Sequence, residues 1–160
     1  MTSEKNYTVF SGDFGGELRM GIYFNPGNES FTQAKNSIIY VDKTRLLDFL
    51  NRRLSTEDKC ISVSHARRFG KSHAAGMIDA YYSLGCDSVG LFEDTKIASD
   101  KDYKKHMNKY NVIHLDISSF WDNFKDNIIE KIEDYIYEDF KASFGDTLNY
   151  EYNLSYNLMK

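Results

Sequence analysis

Residues 59–72 read Lys59-Cys60-Ile61-Ser62-Val63-Ser64-His65-Ala66-Arg67-Arg68-Phe69-Gly70-Lys71-Ser72. The first half alternates apolar and polar in the two-residue period of a strand. The second half is basic and ends in Gly-Lys-Ser. From Ser72 to Leu84 the apolar residues Ala74, Met77, Ile78, Tyr81 and Tyr82 recur at helical spacing, and Gly85 is a natural stop. Strand, glycine-lysine loop and helix in that order match the second half of the pattern G-x-x-x-x-G-K-[ST], with His65 in the place of the first glycine.

The chemistry of that pattern is anion binding. A helix start presents backbone N–H groups and the positive end of the helix dipole. Gly70 lets the backbone approach a phosphate closely. Lys71 supplies charge to the outer phosphates and is the candidate catalytic cation, and Ser72 offers a hydroxyl to Mg²⁺. Arg67, Arg68, Phe69 and His73 complete the expected nucleotide-binding set, with ATP and Mg²⁺ as the expected ligands. The missing glycine alters the turn more than the charge.

Outward from this loop, Ser37-Ile38-Ile39-Tyr40-Val41 reads as a strand, and Asp42 as the cap of a helix running through Leu46, Leu47, Phe49, Leu50 and Leu54. Lys43 is open to a nucleotide or a partner. A short strand is expected over Met20–Phe24 and a short charged helix over Asp102–Lys109. Asn111–Ile117 reads as a second strong strand. Ser119 and Asp122 form a capping box for a long helix over 120–142, with the apolar stripe Phe124, Ile128, Ile132, Tyr135, Ile136 and Phe140. The expected fold is α/β: a partial P-loop core, mainly a parallel sheet flanked by helices, with an N-terminal arm or hairpin. Its expected organisation is an arm over 1–36, the N-terminal part of a P-loop domain over 37–146, and a tail over 147–160 that marks a truncation point.

Composition narrows the function classes. The 160 residues are 41% hydrophobic, 28% charged and 15% aromatic, with 12 Tyr and 11 Phe, which suits a folded domain with a ring-rich core. Net charge is −4, so phosphate binding has to come from a local arrangement and base readout of nucleic acid is disfavoured. Two cysteines, no signal-like N-terminus and no apolar run of about 20 residues point to the cytoplasm and away from a membrane.

Other candidates read more simply. Asp116 ends an apolar strand and is a candidate second Mg²⁺ group, although no acid follows it; a turn-capping carboxylate is the plainer account. His114 reads as a buried, hydrogen-bonded histidine. His65, His73 and His106 make no zinc spacing with Cys60 or Cys86. Asp13-Phe14-Gly15 lacks the surroundings of a kinase magnesium triplet.

Tyr40-Val41-Asp42-Lys43-Thr44, Ala66-Arg67-Arg68-Phe69-Gly70-Lys71-Ser72, Leu91-Phe92-Glu93 and Val112-Ile113-His114-Leu115-Asp116 together resemble the AAA-ATPase-like family. That family shows Y-V-D-K-T, R-P-R-R-F-G-K-[ST], L-F and V-I-x-L in this order, generally without the first glycine. Ala66 departs from its usual proline. The resemblance covers roughly residues 20–120 and implies a P-loop NTPase fold related to the STAND and AAA ATPases. Family members commonly carry a later strand ending in Asp-Glu and often a C-terminal PD-(D/E)xK nuclease-like domain, so nucleic acid enters only by family analogy. No such Asp-Glu strand occurs in the 160 residues. The resemblance therefore implies an N-terminal portion or a short relative, completed by more chain or by a homo-oligomer, with hydrolysis doubtful alone. The alternative is a non-hydrolysing phosphate- or partner-binding module; a small-molecule kinase is disfavoured because no arginine-bearing lid is recognisable.

Overall fold

The computed structural model describes residues 7–10 (as backbone), 21–64 and 66–144. Helices dominate it. Strand β1 spans Tyr7–Phe10, and helices α1 and α2 span Glu29–Lys35 and Arg45–Asn51. Helix α3 spans Lys71–Tyr82 and the one-turn α4 Val89–Phe92; β2 spans Asn111–His114, α5 Ile117–Asn123 and α6 Ile128–Phe144. Short 3₁₀ turns lie at Glu57–Lys59 and Lys96–Ser99.

Helix α3 is the centre of the molecule. Every residue from Ala75 to Tyr82 is buried. Gly76 permits close approach of α1, since a Cβ there would fall 2.6 Å from Ser30 Oγ. Phe31 of α1 stacks on Phe92 at 4.9 Å between centroids, and Tyr81 meets Phe92 edge-on at 5.3 Å. A run of hydrogen bonds threads this aromatic core. Tyr82 Oη donates to Asn51 Oδ1 at 2.6 Å, Asn51 Nδ2 donates to Tyr81 Oη at 2.9 Å, and Tyr81 Oη donates to the Tyr103 carbonyl. Burial pushes the Tyr81 phenol up to about 12 and raises Tyr82 further.

The sheet differs from the expectation. Among the described residues the ladder is β1 against β2, antiparallel, with Val9 opposite Val112. One parallel bridge, Ser83 with Tyr110, touches the end of α3. The patterned segments 37–41 and 59–64 are not strands. Ile38, Ile39, Val41 and Val63 are exposed on them, so their β-branched pattern marks propensity without a partner ladder to fulfil it. The strand expected at Met20–Phe24 is reduced, in its described part, to a bridge of Phe24 with Ile113. Residues 102–108 form successive turns instead of a helix. The expected arm contains α1, whose Phe31 and Ala34 are buried.

The long C-terminal helix is broken. α5 ends at Phe124, whose φ of −139° is not helical, and α6 starts at Ile128. The cap of α5 is Asp116, whose side chain accepts from Ser118 N at 3.2 Å, and not the Ser119–Asp122 box. The α6 stripe is as expected on its inner face, where Ile136 is buried. Tyr135 packs with Tyr23, Phe120 and Phe124 at 5.6–6.2 Å. Asp139 of α6 accepts from the backbone N–H groups of Ile22, Tyr23 and Phe24 at 2.7–2.9 Å.

Candidate functional site

Gly70 opens α3 as its N-cap at φ 74°, ψ 33°, a left-handed conformation that glycine adopts without steric cost. No side chain can then cover the helix start from that position. Lys71, Ser72 and His73 form the first turn, with Ser72 and His73 exposed. Arg68, two residues earlier, also has a positive φ of 68°. A non-glycine residue there is strained, and such strain clusters at ligand-binding turns. Arg67, Arg68 and Phe69 are exposed. His65 lies outside the described residues.

The loop is braced by its own cations. Lys71 Nζ donates to the Ala66 carbonyl at 3.1 Å. Lys43, from a segment 27 residues upstream of Gly70, donates to the Phe69 carbonyl. A Cβ placed on Gly70 would fall 2.5 Å from Lys43 Nζ, so the ammonium sits directly over the helix start. The helix start is thus compact, electropositive and approached from two chain segments.

What positions Lys43 is the pair of residues beside it. Asp42 does not cap α2; the cap position is Thr44. Instead Asp42 Oδ1 accepts from Thr44 N at 2.8 Å and Thr44 Oγ1 at 2.7 Å, while Asp42 Oδ2 accepts from Lys96 N at 2.7 Å. Thr44 Oγ1 in turn accepts from Ile97 N at 3.0 Å, in a buried contact. Asp42 and Thr44 therefore staple residues 42–44 to the turn at 96–97, and Lys43 is left facing the loop. Sequence reading linked these residues only as a motif; the helix-cap rule hid the staple because its partners lie more than 50 residues away.

Beside the loop is a cavity of about 370 Å³. Gly70, His73, Ala74 and Met77 give it one wall, and Tyr40, Val41 and Lys43 another. The remaining predicted residues lie elsewhere in the fold or serve other contacts. Asp116 caps α5 beyond β2. His114 Nδ1 lies 2.5 Å from Asp79 Oδ2 of α3, half-buried and hydrogen-bonded as expected. Among the described residues no group of three or more His, Cys, Asp or Glu could hold a metal ion. Nor is any described helix long and apolar enough to cross a membrane.

The residues present fit a nucleotide's phosphates. Gly70 lets the Lys43 ammonium sit where a Cβ would collide with it, Lys43, Arg68 and Lys71 supply positive charge, and Ser72 holds an exposed hydroxyl one residue into the helix. The family model described as Predicted AAA-ATPase (AAA-ATPase-like) matches residues 26–157. No curated protein and no solved structure matches the chain.

Proposed function

The chain belongs to the AAA-ATPase-like family, and on that premise we propose that it binds ATP with Mg²⁺ through the loop Arg67–His73. The left-handed Gly70 at the head of a twelve-residue helix, immediately followed by Lys71 and Ser72, is the observation that carries this reading. In it the first-turn amides of α3 and the Lys71 ammonium hold the β- and γ-phosphates, and Ser72 is the protein's ligand to Mg²⁺. Lys71 exchanges the Ala66 carbonyl for phosphate oxygens, a stronger, charge-assisted partner. Arg67 and Arg68 are exposed on the same turn and add to its field; Asp116, the cap of α5, is the further carboxylate proposed for Mg²⁺.

When bound, the metal would be held on the protein side by Ser72 and would offset the negative charge of the phosphates. Hydrolysis needs an acid that polarises water, and the described residues group no such acids at the loop, so binding is the activity proposed for this chain. The segments 37–41 and 59–64 are where the parallel sheet of a P-loop core would form around it. Equilibrium titration with Mg·ATP tests the reading. Lys71→Ala is expected to weaken binding about tenfold or more, a loss of ~1.4 kcal/mol or greater. Unchanged affinity in that variant would rule the loop out. The competing reading, a general phosphate-binding module, would show inorganic phosphate competing as well as ATP does.

A further inference from the structure

We infer that Asp42 and Thr44 are positioning residues for phosphate capture that act through Lys43 between them; this rests on the phosphate loop proposed above. A phosphate on the loop and the closed staple to residues 96–97 then favour one another.

Lys43 is held at its backbone and available at its tip. Its carbonyl accepts from Leu46 N at 2.9 Å, at the opening of α2. The residues on either side of it are the ones fastened to Lys96 N and Ile97 N. Thr44 is fully buried and Ile97 is 1% exposed, so this fastening lies in the interior. The half-buried side chain of Lys43 is what remains to move, and it reaches the phosphate loop.

The tip meets a weak partner. Its acceptor is the neutral Phe69 carbonyl, and none of the ion pairs among the described residues includes it. An ammonium carries three donors, and a charged phosphate oxygen is about twice as strong an acceptor as a neutral one. The ammonium already stands beside Gly70, so an anion at the helix start can take it from the carbonyl with little movement of the stem.

The linkage follows from that placement. With the staple closed, Lys43 stands over the start of α3; with it open, residues 42–44 can carry the ammonium away. A phosphate that engages Lys43 therefore binds the closed arrangement better, and such a coupling is reciprocal. The phosphate tightens the staple, and the staple tightens the hold on the phosphate. The turn at 96–97 thereby responds to occupancy of the loop.

A double-mutant cycle in Mg·ATP affinity tests this on the full chain, with Lys43→Met and Thr44→Val as the single changes. Lys43→Met is expected to weaken binding about tenfold, the loss of one charge-assisted contact. Thr44→Val is expected to weaken it about fivefold, and Thr44→Ser, which keeps the hydroxyl, to bind like the wild type. In the Lys43→Met background Thr44→Val is expected to cost nothing further, because no ammonium is left to place. A residue that only stabilised the fold would cost the same in both backgrounds. Hydrogen exchange reads the opposite direction: saturating Mg·ATP is expected to slow the Ile97 amide about fivefold in the wild type and to leave it unchanged in Lys43→Met. Equal Thr44→Val losses in the two backgrounds, or a wild-type Ile97 amide indifferent to Mg·ATP, overturn the coupling and leave the phosphate loop standing. Should Thr44→Val fail to fold, the exchange measurement on the wild type and Lys43→Met decides. A wild-type chain that binds no Mg·ATP overturns the loop and the coupling with it.

Discussion

At Gly70 the backbone sits in the left-handed region, and any added Cβ would meet the Lys43 ammonium. Alanine there is expected to cost about 1–2 kcal/mol in backbone strain alone. It would also push Lys43 off the Phe69 carbonyl. The expected outcome for Gly70→Ala is a lower urea midpoint together with weakened ATP binding; a variant as stable and as tight-binding as wild type would refute the assigned geometry. This residue was legible in the sequence because a glycine before Lys-Ser at a helix start has few other uses. Lys43 was only half legible. Its neighbours read as helix-cap chemistry, and the contact that gives it meaning is a tertiary one, absent from any local pattern.

Among the elements, α3 and α6 were readable from their apolar spacing, and β2 from its branched run. The break between α5 and α6 was not. Phe124 fits the apolar stripe of a continuous helix, yet it serves the cluster with Phe120 and Tyr135, and tertiary packing overrode local periodicity. The two segments 37–41 and 59–64 show the reverse: local pattern present, with no partner strand among the described residues. A strand is completed by another strand, so its pattern alone cannot produce one. Asp139 is what fastens α6 to the rest. It receives three amides from residues 22–24, and Gly21 next to them leaves room for its carboxylate. Asp139→Ala is expected to lower stability by about 1–3 kcal/mol, because those N–H groups lose their acceptor. Hydrogen exchange at Ile22, Tyr23 and Phe24 reads it directly. If their amides stay as protected as in the wild type, the proposed fastening is wrong.

For the whole molecule, the Asp42–Thr44 staple joins the segment before α2 to the turn that follows α4. Burial of Asp42 would raise its pKa, but hydrogen bonds from Thr44 and Lys96 N, together with the Lys96 charge, overcome it and hold the carboxyl below its usual 3.8. A carboxyl depressed in the folded state stabilises above its unfolded pKa, and that contribution disappears as pH falls through the folded value. The melting temperature is thus expected to drop between about pH 5 and 2, and Asp42→Asn to flatten this acid limb. An identical acid profile in that variant would exclude the staple as its source. The motif Tyr40-Val41-Asp42-Lys43-Thr44 was visible in the sequence from the start; its division into two structural residues around one that faces the loop was not.

The chain of donors from Tyr82 through Asn51 and Tyr81 to the Tyr103 carbonyl gives the interior a direction. Asn51 and Tyr81 in its middle each accept a hydrogen bond from one neighbour and donate one to the next. Rings packed by bulk alone could slide into several near-equal arrangements, whereas this relay closes only when α2, α3 and the turns at 101–104 hold a single mutual register. The tyrosines here therefore set which interior forms, besides filling it.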